Sequence, residues 1–231
     1  MAVALRTLWL LAGIFCALPV LASSLLETVS GIVTAGSSPA HLHAGDHILT
    51  GSKIVTAPRS QATLRLADGH IVVLAENSAF TVAEFALTAS DPKTSTFILD
   101  LHKGTLRLLS SPSASRARGA YVLRVPEASL GILGADFLAA LANGTYVSVL
   151  KGTLTASNSA GSAVLGSGMA AFIGSPASLA TPVPAVTFPL AVTARFERLG
   201  AMVVKTTWMP IDYPIARRAE SPIAASAARS R

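Results

Sequence analysis

Cysteine is nearly absent from this chain, whose 231 residues hold one, Cys16. It lies within an N-terminal apolar run, and a chain processed after that run keeps no thiol, which excludes disulfides, thiolate metal sites and cysteine nucleophiles. Stability must then come from packing. Charge is also scarce: Asp, Glu, Lys and Arg make up 13%, against roughly 25% in an ordinary soluble domain. Aromatics are 6%, so the core has to be built from Val, Leu, Ile and Ala. No Gly-x-Ser-x-Gly elbow occurs to anchor a hydrolase. Gly166-Ser167-Gly168 is not followed by Lys, so it reads as a turn and not as a phosphate loop.

A chain of 23.6 kDa is long enough for one well-packed domain with extensions, or for two small ones. Its net charge is +6, its isoelectric point about 10.0 and its mean hydropathy +0.56. The positive charge gathers at Arg116 and Arg118 in a Ser-rich stretch, and at Arg217, Arg218, Arg229 and Arg231 near the end. A nucleic-acid surface combines a basic face with stacking aromatics or a known reading motif, and the sequence has neither. Attraction to anionic envelope polymers or lipids fits better.

Arg6 precedes an apolar run from Leu8 to Leu21, and Val20-Leu21-Ala22 before Ser23 fits the small-x-small cleavage rule. The run is shorter than the about 20 residues of a membrane span. We expect residues 1–22 to be a cleaved signal peptide, leaving no stable membrane span and a periplasmic or secreted protein. Phe15 and Gly13 ahead of Cys16 do not fit a lipoprotein signal.

Two hairpins dominate the rest. Asp68-Gly69 separates the alternating runs 62–67 and 70–75, and Asn143-Gly144 separates 136–142 from 145–150. Two-residue loops predict the pairs Leu66/Ile71, Leu64/Val73 and Ala62/Ala75 in the first, with Arg65, Thr63 and His70 on a mostly wet face. In the second they predict Phe137/Leu150, Ala139/Ser148 and Leu141/Tyr146 on one face, and Leu138/Val149 and Ala140/Val147 on the other. Both faces of the second hairpin are apolar, so it should lie deeper than the first. Further strands are expected over 28–35, 48–49, 54–56, 79–88, 96–101, 104–109 and 121–125, with turns at Gly36-Ser37-Ser38-Pro39 and Ser90-Asp91-Pro92-Lys93 and a polar loop over 110–119. Lys103-Gly104-Thr105-Leu106 returns as Lys151-Gly152-Thr153-Leu154, which suggests two similar strand corners.

Gly45-Asp46, Thr50-Gly51, the Ser60 to Gly69 hairpin and Leu74 stand in an order that resembles the FecR domain family. The resemblance continues through Gly104, Val125-Pro126, Gly131 to Phe137 and Leu150-Lys151-Gly152, ending near Leu165-Gly166-Ser167-Gly168, so that it covers roughly residues 29–173. Two positions depart from the pattern. Gly134-Ala135-Asp136-Phe137 stands where many relatives have Gly-Thr-x-Phe, and Met169 stands where they have Gln. The resemblance implies a non-enzymatic, envelope-facing module, of which we expect only the periplasmic binding part to carry over, without the family's cytoplasmic sigma-factor-controlling segment.

Few residues invite a chemical reading. His41 and His43 alternate as at the start of a cupin-like metal site, with His47 placed to close on them from a turn, but only His70 and His102 remain to complete it. Glu76 with Asp100, or Glu84 with Glu127, have no spacing that singles out an acid and a base. Asp46 and Asp68 sit in turns where the side chain caps nearby amides, and Phe137 reads as a core plug. Trp208, Met209, Pro210 and Tyr213 could form a contact surface or pack the C-terminal extension.

The expected architecture is all-β, with short antiparallel strands in a β-sandwich or jelly-roll-like β-roll. We expect a signal peptide at 1–22, a β domain at 23–173, a Pro/Ala/Ser/Thr-rich linker at 174–189, an extension at 190–216 and a disordered basic tail at 217–231. Val192, Phe196, Leu199 and Val203 would line one face of a helix over 190–204. No catalytic, metal or cofactor residue is assigned, and the expected partner is an envelope protein or polymer. The alternatives are a lipid- or lipopolysaccharide-handling jellyroll with an apolar groove between the hairpins' inner faces, and a cupin-like metal protein.

Overall fold

The computed structural model describes residues 24–36, 40–66, 68–86, 96–111 and 121–202. The expected signal peptide, most of the 37–39, 90–93 and 110–119 turns and loops, Trp208 to Tyr213 and the basic tail lie outside them.

Among the described residues fifteen strands form one curled sheet. They are β1 (Ser24–Ser30), β2 (Val33–Ala35), β3 (His47–Ile48), β4 (Lys53–Thr56), β5 (Gln61–Arg65), β6 (Ile71–Leu74), β7 (Ala79–Ala86), β8 (Thr96–Lys103), β9 (Thr105–Leu109), β10 (Tyr121–Val125), β11 (Ala128–Leu141), β12 (Thr145–Asn158), β13 (Gly161–Gly166), β14 (Ala170–Ile173) and β15 (Thr181–Pro182). An α-helix, α1 (Leu190–Gly200), follows. The all-β architecture is as expected, although β8 and β10 pair in parallel and the sheet is therefore mixed.

The order β2-β4-β7-β8-β10-β11-β9-β6-β5-β1-β3 passes through β11, whose first half pairs with β10 and whose second half pairs with β9. β12 runs the whole length of β11 on its other side. These two 14-residue strands are much longer than expected because each crosses a corner and continues on the other half of the sheet. Leu64, Leu74, Leu106 and Phe137 of one half then meet Ile54, Phe80, Leu101 and Leu130 of the other in a single core.

The repeated Lys-Gly-Thr-Leu marks two of these corners. Gly104 (φ +89°) turns the chain from β8 into β9, and Gly152 (φ +85°) bends β12 beside the irregular pairing around Gly134. A Cβ on Gly104 would collide with Ser78, and one on Gly152 with the Gly134 carbonyl oxygen. The sequence therefore needs glycine for both dihedral and space. The expected strand over 28–35 is likewise broken, at Gly31, into β1 and β2, which belong to opposite halves.

Both hairpins pair one residue out of step with the expected two-residue loops. Arg65 faces Ile71, Leu64 faces Val72 and Thr63 faces Val73, while the Leu66 amide donates to the His70 carbonyl (2.8 Å). Similarly Phe137 faces Val149, Ala139 faces Val147 and Leu141 faces Thr145, with the Ala142 amide donating to the Gly144 carbonyl (2.9 Å). The pair Leu66/His70 encloses three residues and the pair Ala142/Gly144 only Asn143, so each loop departs by one residue from the two that the dipeptide signal implies, with Gly69 at φ +91° and Asn143 at φ +52° accepting the left-handed conformation. A one-residue shift turns the returning strand over. Val72 and Leu74, not Ile71 and Val73, therefore join Leu64 in the main core, and Val147 and Val149 join Phe137 and Ala139 there.

Nor is the first hairpin wet on its outer face: Thr63, Arg65, Ile71 and Val73 are all buried, and so is His70. The cover is α1, whose Val192, Phe196 and Leu199 join Phe188, Ile71, Val73, Leu138 and Ala140 in a second cluster. The expected face of α1 is thus the buried one; Val203 lies beyond the described residues. Residues 174–189, expected as an extended linker, pair with β14 through β15 and bury Phe188 against Tyr146 (5.0 Å between ring centroids) and Phe196 (5.9 Å). Composition reads as a linker because it does not register one well-placed Phe. Among the described residues no helix is long and apolar enough to cross a membrane.

Candidate functional site

The residues with a tempting pattern do not converge. His41, His43 and His47 are all exposed, and no three His, Cys, Asp or Glu among the described residues are placed to hold a metal. Asp100 grips Arg124 (2.6 and 2.9 Å), Glu76 accepts the Arg59 amide (2.7 Å), and Glu127 accepts the Thr145 hydroxyl, so each carboxylate has a partner of another kind. Ser167 takes the Gly152 amide (2.9 Å), a turn contact at the corner. Phe137 is a fully buried plug. Asp46 caps the His43 amide (2.7 Å) and Asp68 the His70 amide (3.1 Å), as turn aspartates should.

Asp68 also serves a second purpose that its position in a turn does not reveal. Its other oxygen lies 2.6 Å from His70 Nδ1, and the Tyr121 hydroxyl hydrogen-bonds the same carboxylate. The His70 ring is fully buried and packs against both Phe97 and Tyr121, each with centroids 4.9 Å away, in a cluster where those two rings also touch (5.6 Å). Its Nε2 has no hydrogen-bond partner among the described residues. Burial, together with the charge and hydrogen bond of Asp68, pushes the Tyr121 hydroxyl up to about 12. The group acts as a polar knot tying the first hairpin to β8 and β10.

The outer face beneath α1 carries another buried charge. Arg107 of β9 grips Asp136 of β11 with two parallel bonds, Nε to Oδ1 at 2.9 Å and Nη2 to Oδ2 at 2.7 Å. Its Nη1 donates to the carbonyls of Leu199 (2.9 Å), Gly200 (3.1 Å) and Met202 (3.0 Å). A guanidinium thus gathers carbonyls at and just beyond the C-terminal end of α1 and complements its dipole. The sequence signal for it is slight, a lone Arg inside the aliphatic strand Thr105–Leu109.

Two cavities among the described residues flank α1. One, about 360 Å³, lies among Arg59, Ser60, Gln61, Glu76, Arg195, Arg198 and Met202. The other, about 460 Å³, is mostly apolar and lies among Leu138, Leu150, Phe188 and Phe196. The inner faces of both hairpins are filled by the main core, so the expected apolar groove between them is closed.

An edge strand of the described sheet completes the surface. Among the described residues β13 pairs with β12 alone, from Thr153/Gly166 to Asn158/Gly161, without a bulge. Its sequence, Gly-Ser-Ala-Val-Leu-Gly, has no charge and no proline, the usual means of blunting an edge. Closing the tight turn with the hydrogen-bonded pair Asn158/Gly161 leaves Ser162 and Val164 with outward amides and carbonyls. Val164 is 64% exposed.

The family model described as FecR protein matches residues 52–155. No curated protein matches. This chain is similar to two crystal structures of a "putative anti-sigma factor" from Parabacteroides distasonis ATCC 8503, each at 15% identity. One has a TM-score of 0.46, covering 57% of this chain and 59% of its own; the other has 0.47, covering 64% and 74%. The chain thus spans less than two thirds of the first of these.

Proposed function

Residues 52–155 of this chain form a FecR domain, and on that premise we propose that the protein is a non-enzymatic binding and signalling scaffold of the bacterial cell envelope, periplasmic or secreted. Its partner is a protein segment that adds to the sheet at β13. The observation that carries this reading is the uncharged, bulge-free β13 edge. A partner strand there completes unpaired amides and carbonyls, and the main chain supplies affinity without any catalytic group. The filled inner faces of the hairpins favour a scaffold over a jellyroll that carries lipid between them. A lipid-handling reading keeps one foothold, the apolar cavity of about 460 Å³ beside α1.

The test is capture from an envelope extract with the mature chain beside Val164→Pro and Val164→Lys. Either substitution blocks the outward edge while leaving the β12 ladder intact. A protein held by the wild type and lost by both variants supports the proposal. Equal capture by all three, or stoichiometric lipid or metal in the purified chain, overturns it.

A further inference from the structure

The cavity of about 360 Å³ brings together three arginines, Arg59, Arg195 and Arg198, and one carboxylate, Glu76. Glu76 is already engaged by the Arg59 amide (2.7 Å) and lies 3.7 Å from Arg198. Among the described residues neither the Arg59 nor the Arg195 guanidinium meets a carboxylate. Nearby Ser60 and Gln61 add polar groups, while Ala75, Leu199 and Met202 give the cavity an apolar side. The C-terminal end of α1 also points this way, but Arg107 occupies its carbonyls and masks their negative field.

Arg59 stands in the left-handed conformation, φ +56°, which strains a residue with a Cβ. Glycine or asparagine would suit the position better. The arginine's backbone is instead pinned by Glu76, and the residue lines the cavity beside it.

We infer that this cavity is a binding site for a phosphate dianion carried on a small organic body. Three guanidiniums against one carboxylate leave an excess of two positive charges, which a dianion neutralises and a monocarboxylate does not. Guanidinium forks match phosphate oxygens in pairs, and the apolar side accommodates the organic part. The site is separate from the β13 edge and does not depend on it. A soluble monoester and the headgroup of a lipid both carry such a phosphate, and the chemistry of recognition is the same.

Isothermal titration of the full mature chain with glycerol 3-phosphate, alongside flotation with phosphatidic acid or phosphatidylcholine vesicles, tests the inference. Arg59→Gly removes the guanidinium and relaxes the backbone, so this variant folds at least as well as the wild type; Arg195→Gln is the second variant. Saturable binding of one ester per chain that falls tenfold or more in each variant supports a soluble ligand. Binding to phosphatidic acid vesicles alone, lost in the same variants, supports a lipid headgroup. No binding to either, or binding that Lys53→Gln weakens as much as Arg59→Gly does, overturns the site.

Discussion

Arg107 and Asp136 sit on neighbouring strands, in register with Leu138 and Leu109 respectively, and their two parallel bonds of 2.9 and 2.7 Å bring a buried ion pair under the end of α1. The side chains are 10% and 23% exposed, so water screens the pair little. Removing one partner strands the other's charge, which costs about 3–5 kcal/mol in buried pairs. Because Asp136 is partly wet, Arg107→Met should lower stability by about 3 kcal/mol and Asp136→Asn by less. Arg107→Lys should not restore the loss, since an ammonium lacks the fork that serves Asp136 and the helix carbonyls together. Urea unfolding followed by circular dichroism reads all three.

The knot around Asp68 makes stability fall at high pH. Tyr121 ionises near 10 when unfolded, but in the fold its hydroxyl is held up to about 12 by burial and by Asp68. Its raised value means that the contribution is complete below about pH 10 and is lost as pH rises toward 12. The loss should be on the order of 2 kcal/mol. Tyr121→Phe should flatten that part of the profile, and the phenolate absorbance of the wild type should appear late. A wild-type profile as flat as the variant's would count against the knot.

The corner glycines should tolerate nothing larger. Gly104→Ala and Gly152→Ala each combine a positive φ with a collision against neighbouring chain, and each should cost about 2 kcal/mol or more. Gly200→Ala provides the contrast. Gly200 is helical, and a Cβ added there would meet nothing within 4 Å, so alanine should raise stability by about 0.5 kcal/mol. Thermal melts of the three variants decide this.

Deleting residues 174–231 should leave 23–173 able to melt cooperatively, but at a clearly lower temperature. The deletion uncovers Ile71, Val73, Leu138 and Ala140 and takes the helix carbonyls from Arg107. Each large apolar side chain removed from the contact forfeits about 1.5–3 kcal/mol. We expect the truncated chain to bind a hydrophobic dye that the untruncated chain ignores. An unchanged melting temperature would show that α1 does not stabilise the sheet.

Many of these features are legible along the chain. Period-two alternation places most strands, and the repeated Lys-Gly-Thr-Leu locates two corners, because a left-handed, crowded backbone position selects glycine whatever lies around it. The family pattern is carried by the same turns and aliphatics. Register is less legible. A dipeptide such as Asp-Gly reports that the chain reverses, but the hydrogen bonds that close the loop, Leu66 to His70 and Ala142 to Gly144, fix how many residues it holds. The candidate site is the least legible. Arg59 lies far in sequence from Arg195 and Arg198, and nothing in that spacing says that they share a cavity.

The sequence by itself determined an all-β chain with its turns, its corners and its aliphatic core, since these follow from backbone sterics and side-chain alternation within a few residues. The tertiary structure alone decided that a helix after a proline-rich stretch would cover the first hairpin's outer face. It also decided that Arg107 would find Asp136 and that β13 would have β12 as its one neighbour among the described residues. Those outcomes depend on which surfaces meet when distant segments compete for the same apolar face, and that competition is settled by packing in space.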